Sequence, residues 1–234
     1  CVDLNPWAVR RWDLEHPDPI AAVSIVAAAL ADLSGAALDA SLAVARRDVK
    51  FPAEDVAATR LAIIGMGKAG ARELNYVSDV DVIFVGEAGG LDGESTLADD
   101  RAVTIATQLA MQTMRGIHDL ATEPGLWEVD ANLRPEGKDG ALVRTLESHV
   151  AYYERWAKSW EFQALLKARP LAGDLELGRQ YVEAVSPKVW SSASRENFVD
   201  SVQRMRERVT DNIPADELDV QLKLGPGGLR DVEF

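Results

Sequence analysis

The sequence predicts an α+β fold, a small sheet core set between helical segments. Three observations predict it. Apolar residues recur at helical spacing from Asp18 to about Val49, and again through most of the last third of the chain. Between these stretches stand two short apolar runs of strand length, RLAII at 60–64 and VDVIFV at 80–85. A third run, LWEVDANLR at 126–134, alternates apolar and polar residues with the period of a strand that has one wet face.

Taken in order, the first helical stretch predicts two helices punctuated by Ser34-Gly35. Arg60 to Ile64 predicts a buried strand, followed by the glycine-rich GMGKAG, a short helix near ARELNY and the second strand. Gly86 to Glu94 predicts a loop. Asp99 and Asp100 then open a long helix running to about Leu120, since acidic side chains suit a helix N-terminus. After the third strand, PEGKDG is a turn-rich loop. YYERWAKSWEFQALLKAR is helical, Pro170 to Asp174 interrupts it, and two more helices span Leu175 to Val185 and Arg195 to Asp211. The expected organisation is an N-terminal helical segment (1–55), a core (56–148) and a C-terminal helical segment (149–234). Trp156, Trp160 and Phe162 are expected in the core, and Asp231 and Glu233 at the start of a helix packed on it.

The length of 234 residues suffices for one large domain or two small ones. The net charge of -13 repels phosphate backbones, so no nucleic-acid partner is expected. One cysteine, Cys1, allows no internal disulfide and fits a cytoplasmic location. No apolar run is read as long enough for a membrane span, so no membrane partner is expected. The three histidines and one cysteine give no zinc spacing. The chain starts at Cys1 and stops within GGLRDVEF, which reads as a fragment of a longer protein.

Gly65, Gly67 and Gly70 spell GxGxxG between a strand and a helix. A dinucleotide site would want an acid about 20 residues on, at the far end of the next strand, yet here the acids stand at its start. A Walker A loop would need Ser or Thr where Ala69 follows Lys68. Two readings stay open: a tight strand-to-helix turn, or a loop whose amides, helped by Lys68, approach a phosphate.

Asp79 and Asp81 lie two apart at the mouth of a strand, so both project to one face while Val80, Val82 and Phe84 take the other. Carboxylates held that close repel, and a bound divalent cation removes the conflict. The alternative is a solvated turn. In the third strand, Glu128, Asp130, Asn132 and Arg134 share the polar face. If that strand pairs beside the second, Asp130 joins the aspartate pair, three carboxylates suit two metals, and Arg134 neutralises phosphoryl charge. Lys167 is a further candidate to reach the phosphate; its alternative is a solvated helix face.

GMGKAGARELNYVSDVDVIFV resembles the nucleotidyltransferase signature of the glutamine synthetase adenylyltransferase and adenylyl-removing enzyme family, within the polymerase-beta-type superfamily. The resemblance continues in VDANLRPEGKDGALV, WEFQALLKARPLAGD and KLGPGGLRDVEF. It implies a polymerase-beta-like core with a small mixed sheet, and a metal site of Asp79, Asp81 and Asp130. It also implies nucleotide or phosphate contacts from Gly67, Lys68, Ser78 and Arg134, to which the loop reading adds Gly70. Ala71 departs from a frequent glycine, and Asn132 from a usual arginine whose phosphate role it would remove. Implied cofactors are Mg²⁺ or Mn²⁺, with ADP, ATP and orthophosphate as substrates or products. Implied partners are glutamine synthetase as protein substrate, with a PII-type nitrogen signal protein and glutamine as regulators. The final stretch is similar to the end of the family's amino-terminal half, which removes AMP from a tyrosine by phosphorolysis. The alternatives are the AMP-adding domain of the same family and a non-catalytic regulatory module of the same fold.

Overall fold

The computed structural model describes residues 6–89, 97–118, 125–194, 196, 198–218 and 220–233. Its centre is a five-stranded sheet. Strand β1 (Thr59–Gly65) runs antiparallel to β2 (Val80–Ala88) on one side and to β5 (Arg169–Gly173) on the other. The two-residue strands β3 (Val129–Asp130) and β4 (Val143–Arg144) both lie parallel to β2. The sheet is therefore small and mixed, as the resemblance implied.

Alternation along β1 and β2 feeds two cores. Leu61, Ile63, Val80, Val82 and Phe84 point to the face covered by α2 (Pro19–Asp48) and α5 (Asp99–His118). Ala62, Ile64, Ile83 and Val85 point the other way, against α6 (Leu146–Arg155), α7 (Ser159–Leu165) and α8 (Leu175–Ser192). Burial on both faces explains why these strands read as unbroken apolar runs. Each large apolar side chain fully buried here contributes about 1.5–3 kcal/mol. On the second face Tyr153 and Tyr181 share a hydrogen bond of 3.0 Å, which satisfies both buried hydroxyls.

The helices are built at their ends as local chemistry dictates. Asp18 caps α2 by accepting from the amides of Ile20 and Ala21, Pro19 stands at its first turn, and Arg46 and Arg47 close its last turn. Asp174 caps α8 by accepting from the Leu177 amide, and it also pairs with Arg60 of β1 at 2.7 Å. The remaining helices are α1 (Pro6–Glu15), α3 (Ala53–Ala57), α4 (Gly67–Ala71), α9 (Phe198–Asp211) and α10 (Leu229–Glu233).

Several expectations are corrected. Ser34-Gly35 does not stop a helix: α2 is one helix of 30 residues. The Ser34 hydroxyl turns back to the Ala31 carbonyl, and a Cβ on Gly35 would stand 2.8 Å from the Leu171 carbonyl, so this glycine lets α2 cross β5 closely. This helix is also long and apolar enough to cross a membrane by length and composition, contrary to the reading of the apolar runs. One of its faces is buried against α5 and β5, and Asp32 and Asp39 bond to Arg72 and to the Gly173 amide. The short helix precedes ARELNY rather than coinciding with it. The strand of LWEVDANLR shrinks to two residues, because Asn132 to Gly140 turn away. Residues 170–174, expected only to interrupt a helix, mostly form β5, so the sheet takes an edge strand from the C-terminal segment. Of the three aromatic residues expected in the core, Phe162 is buried but Trp156 is 73% exposed. The predicted loop tip toward Glu94, the helix end at Leu120 and the helix start at Arg195 fall outside the described residues.

Candidate active site

Parallel pairing sets Val80 opposite Val129 and Asp81 opposite Asp130. Because side chains alternate, the two valines enter the α2–α5 core and the two aspartates share the opposite face at the mouth of the sheet. Both are half-buried, whereas Asp79, one residue before β2, is exposed. Burial raises the Asp81 carboxyl above its ordinary value, and the charges of Asp130 and then Asp79 raise it further. Two ammonium groups oppose them, Lys223 first and Lys68 second. The site is thus a carboxylate pair with a third acid at its rim, short of positive charge. That is a donor set of hard oxygens suited to a divalent cation. Among the described residues no three acidic, histidine or cysteine side chains form a ready-made metal cluster. The expected triad is therefore an assembled pair, Asp81 and Asp130, with Asp79 beside it.

The glycine-rich turn has two distinct glycines. Gly67 has φ +48° and faces the pair: a Cβ there would stand 2.6 Å from Asp81 Oδ2. Its bare Cα lets the carboxylate lie over the turn, and the Met66 amide fixes the strand mouth by donating to the Asp81 carbonyl at 2.8 Å. Gly70 is a packing residue. Its amide donates to the Met66 carbonyl, its own carbonyl accepts from Arg169, and a Cβ would collide with the Lys167 carbonyl at 1.9 Å. The expected phosphate contact of the Gly70 amide is corrected on that ground, since the donor is already used.

The expected basic residues divide likewise. Lys68 lies on the site side of α4 and donates to Asn75 Oδ1 at 3.0 Å. Ser78 lies at the rim, its hydroxyl bonded to the Asp79 carbonyl. Arg134 is near Asp130, but it donates to the carbonyls of Ala131, Lys138 and Gly140, so it organises the turn after β3 rather than standing free for phosphate. Lys167 is turned away to pair with Glu73 at 3.1 Å on the surface. Asn132 gives its amide to Asp130 Oδ1 at 2.6 Å, which orients that carboxylate. Lys223, in the KLGPGG stretch, was missed as a site residue; charge alone could not bring it to the site, because nothing local connects it to β2. Beside Asp130, on the α5 side of β3, a cleft of about 460 Å³ is lined by Met111, Met114 and Leu142.

A glycine turn under an in-register carboxylate pair, on adjacent strands of a small mixed sheet, defines a nucleotidyltransferase-like domain. The family model described as glutamate-ammonia ligase adenylyltransferase matches residues 17–184, and the chain belongs to that family. It is similar to the bifunctional glutamine synthetase adenylyltransferase/adenylyl-removing enzyme of Leifsonia xyli, 70% identical over 232 residues covering 97% of this chain and 23% of that protein. The enzymes of the same name from Streptomyces coelicolor (61% identical; 91% of this chain, 21% of that protein) and Mycolicibacterium smegmatis (57% identical; 93% and 20%) are also similar. The chain thus spans about a fifth of the length of these relatives.

Proposed function

We propose that this domain removes AMP from an adenylylated tyrosine of glutamine synthetase by phosphorolysis, with ADP as product. The observation that carries the chemistry is the Asp81–Asp130 pair in register beside Gly67. The names of the relatives support the substrate, since both adenylyl transfer and adenylyl removal stand in them. The direction rests on the similarity of VTDNIPADELDVQLKLGPGGLRDVEF to the end of the family's amino-terminal half.

In this reading an orthophosphate oxygen attacks the α-phosphorus in line, a new P–O bond forms, and the bond to the tyrosine oxygen breaks. The phenolate leaves and takes a proton, and the adenylyl group departs as ADP. Mg²⁺ or Mn²⁺, held by Asp81 and Asp130 with Asp79 at the rim, would supply charge neutralisation at the phosphoryl oxygens. The chain's own part is positioning. Register fixes the two carboxylates on one face, Asn132 orients Asp130, and Gly67 keeps the space over Asp81 clear. Lys68 brings a positive charge to the same mouth. A PII-type signal protein and glutamine belong to this proposal as regulators, and the cytoplasm as the place of action.

Product identity tests it. Adenylylated glutamine synthetase incubated with the chain, orthophosphate and Mg²⁺ is expected to yield ADP and free tyrosine. Incorporation of AMP from ATP into unmodified glutamine synthetase would reverse the direction. Asp79→Asn with Asp81→Asn is expected to abolish turnover in a folded protein, and full deadenylylation by that double variant would sink the mechanism.

A further inference from the structure

The site needs more positive charge than the expected residues supply. Arg134 and Lys167 are engaged elsewhere and the Gly70 amide is used inside α4, which leaves Lys68 alone from the original set. A phosphate-bearing cosubstrate brings several negative oxygens to a mouth that already holds three carboxylates. The missing cation comes from far downstream in the chain.

Lys223 lies on a loop stapled in several places. The amides of Leu229 and Arg230 donate back to the carbonyls of Leu222 and Lys223, at 3.0 Å each. The Gly227 amide donates to Asp231 Oδ2 at 2.6 Å, Asp231 pairs with Arg206 of α9, and Arg206 also donates to the Gly225 carbonyl. The loop is thus locked to α9 at its base, while Lys223 itself is exposed. Among the described residues no carboxylate lies within ion-pair distance of its ammonium. Of the cations that draw Asp81 toward its ionised form it is the foremost, ahead of Lys68. An unpaired ammonium on a braced loop, beside a carboxylate pair, is placed for a ligand rather than for the fold.

We propose that Lys223 binds the phosphate that enters or leaves at this site: orthophosphate before adenylyl removal, the same group as the β-phosphate of ADP afterwards. The inference rests on the nucleotidyl-transfer reading above and adds to it a contact from the C-terminal loop. It makes the loop between α9 and α10 part of the site, with Lys68 and Lys223 on the two sides of the incoming phosphate.

The test is calorimetric titration of the chain with ADP and with AMP in excess Mg²⁺, for the unaltered chain, Lys223→Ala, Lys223→Arg and Asp81→Asn. Lys223→Ala is expected to weaken ADP by about tenfold, the scale of one lost charge-assisted hydrogen bond, and to leave AMP within about twofold. Lys223→Arg is expected to restore most of the ADP affinity, and circular dichroism and melting are expected to stay unchanged for this exposed residue. Unchanged ADP binding by Lys223→Ala would overturn the inference, and so would an equal loss for ADP and AMP. Asp81→Asn separates the two levels. If it abolishes Mg²⁺-dependent binding while Lys223→Ala does nothing, only the Lys223 contact fails. If neither change matters, or the unaltered chain binds neither nucleotide, the nucleotidyl-transfer reading fails with it.

Discussion

Gly67→Ala separates what the glycine turn does for the fold from what it does for the site. At φ +48° an alanine pays about 1 kcal/mol of backbone strain. Its Cβ would stand 2.6 Å from Asp81 Oδ2, well inside ordinary contact. The carboxylate, at the end of a short side chain facing an open mouth, is free to yield by somewhat under about 1 Å, so the steric cost to the fold is small. The expected stability loss is about 1–2 kcal/mol, or roughly 3–7 °C in melting temperature for a chain of this size. The expected activity loss is larger, because displacing a reacting group by about 1 Å costs about 10²-fold. Melting followed by circular dichroism and phosphorolysis followed by ADP release measure the two. A variant as active as the parent would refute the argument that Gly67 clears space for Asp81. A variant that does not fold would refute the argument that the carboxylate yields.

Three further outcomes follow from the same geometry. Gly70→Ala puts a Cβ 1.9 Å from the Lys167 backbone carbonyl, where no side chain can give way. It is expected to cost about 4 kcal/mol or more, or to prevent folding, as urea denaturation would show. Asp81→Asn is expected to abolish turnover yet stabilise the metal-free chain by about 0.5–1 kcal/mol, since it relieves repulsion with Asp130 and Asp79; a loss of stability would argue against a repelling pair. Burial, with a smaller contribution from Arg144, holds His149 down at about 4 against an ordinary 6.5. The unfolded chain therefore binds the extra proton between those values, so stability falls as pH drops from about 6.5 toward 4, by up to about 3 kcal/mol from this group. Urea midpoints against pH should show that slope, and His149→Phe should remove it.

Much of this was legible in the order of residues. Period and length identify β1, β2 and α5, because strands buried on both faces must read as continuous apolar runs and a helix with one buried stripe must repeat every three or four residues. Alternation alone places Asp79 and Asp81 on one face of a strand. It also separates Asp130 from Val129 and Ala131, and the structure keeps that split with Val129 and Ala131 buried. Local pattern failed where a residue answers to a distant partner. Ser34-Gly35 looks like a stop until Leu171 is seen lying against it. Residues 169–173 carry proline and glycine, yet they form a strand because the antiparallel edge of β1 offers hydrogen bonds to them.

The sequence by itself determined the chemistry that is available: a repelling pair of aspartates at a strand mouth, a third on an alternating strand, and a glycine turn before them. Only the tertiary structure decided which groups meet. Strand pairing set Asp130 against Asp81, hydrogen bonds to carbonyls withdrew Arg134 and Gly70, a surface ion pair withdrew Lys167, and chain folding brought Lys223 in. The reason is physical. Period and composition act over a few residues, while a side chain's partner is chosen by packing and hydrogen-bond satisfaction across the whole fold.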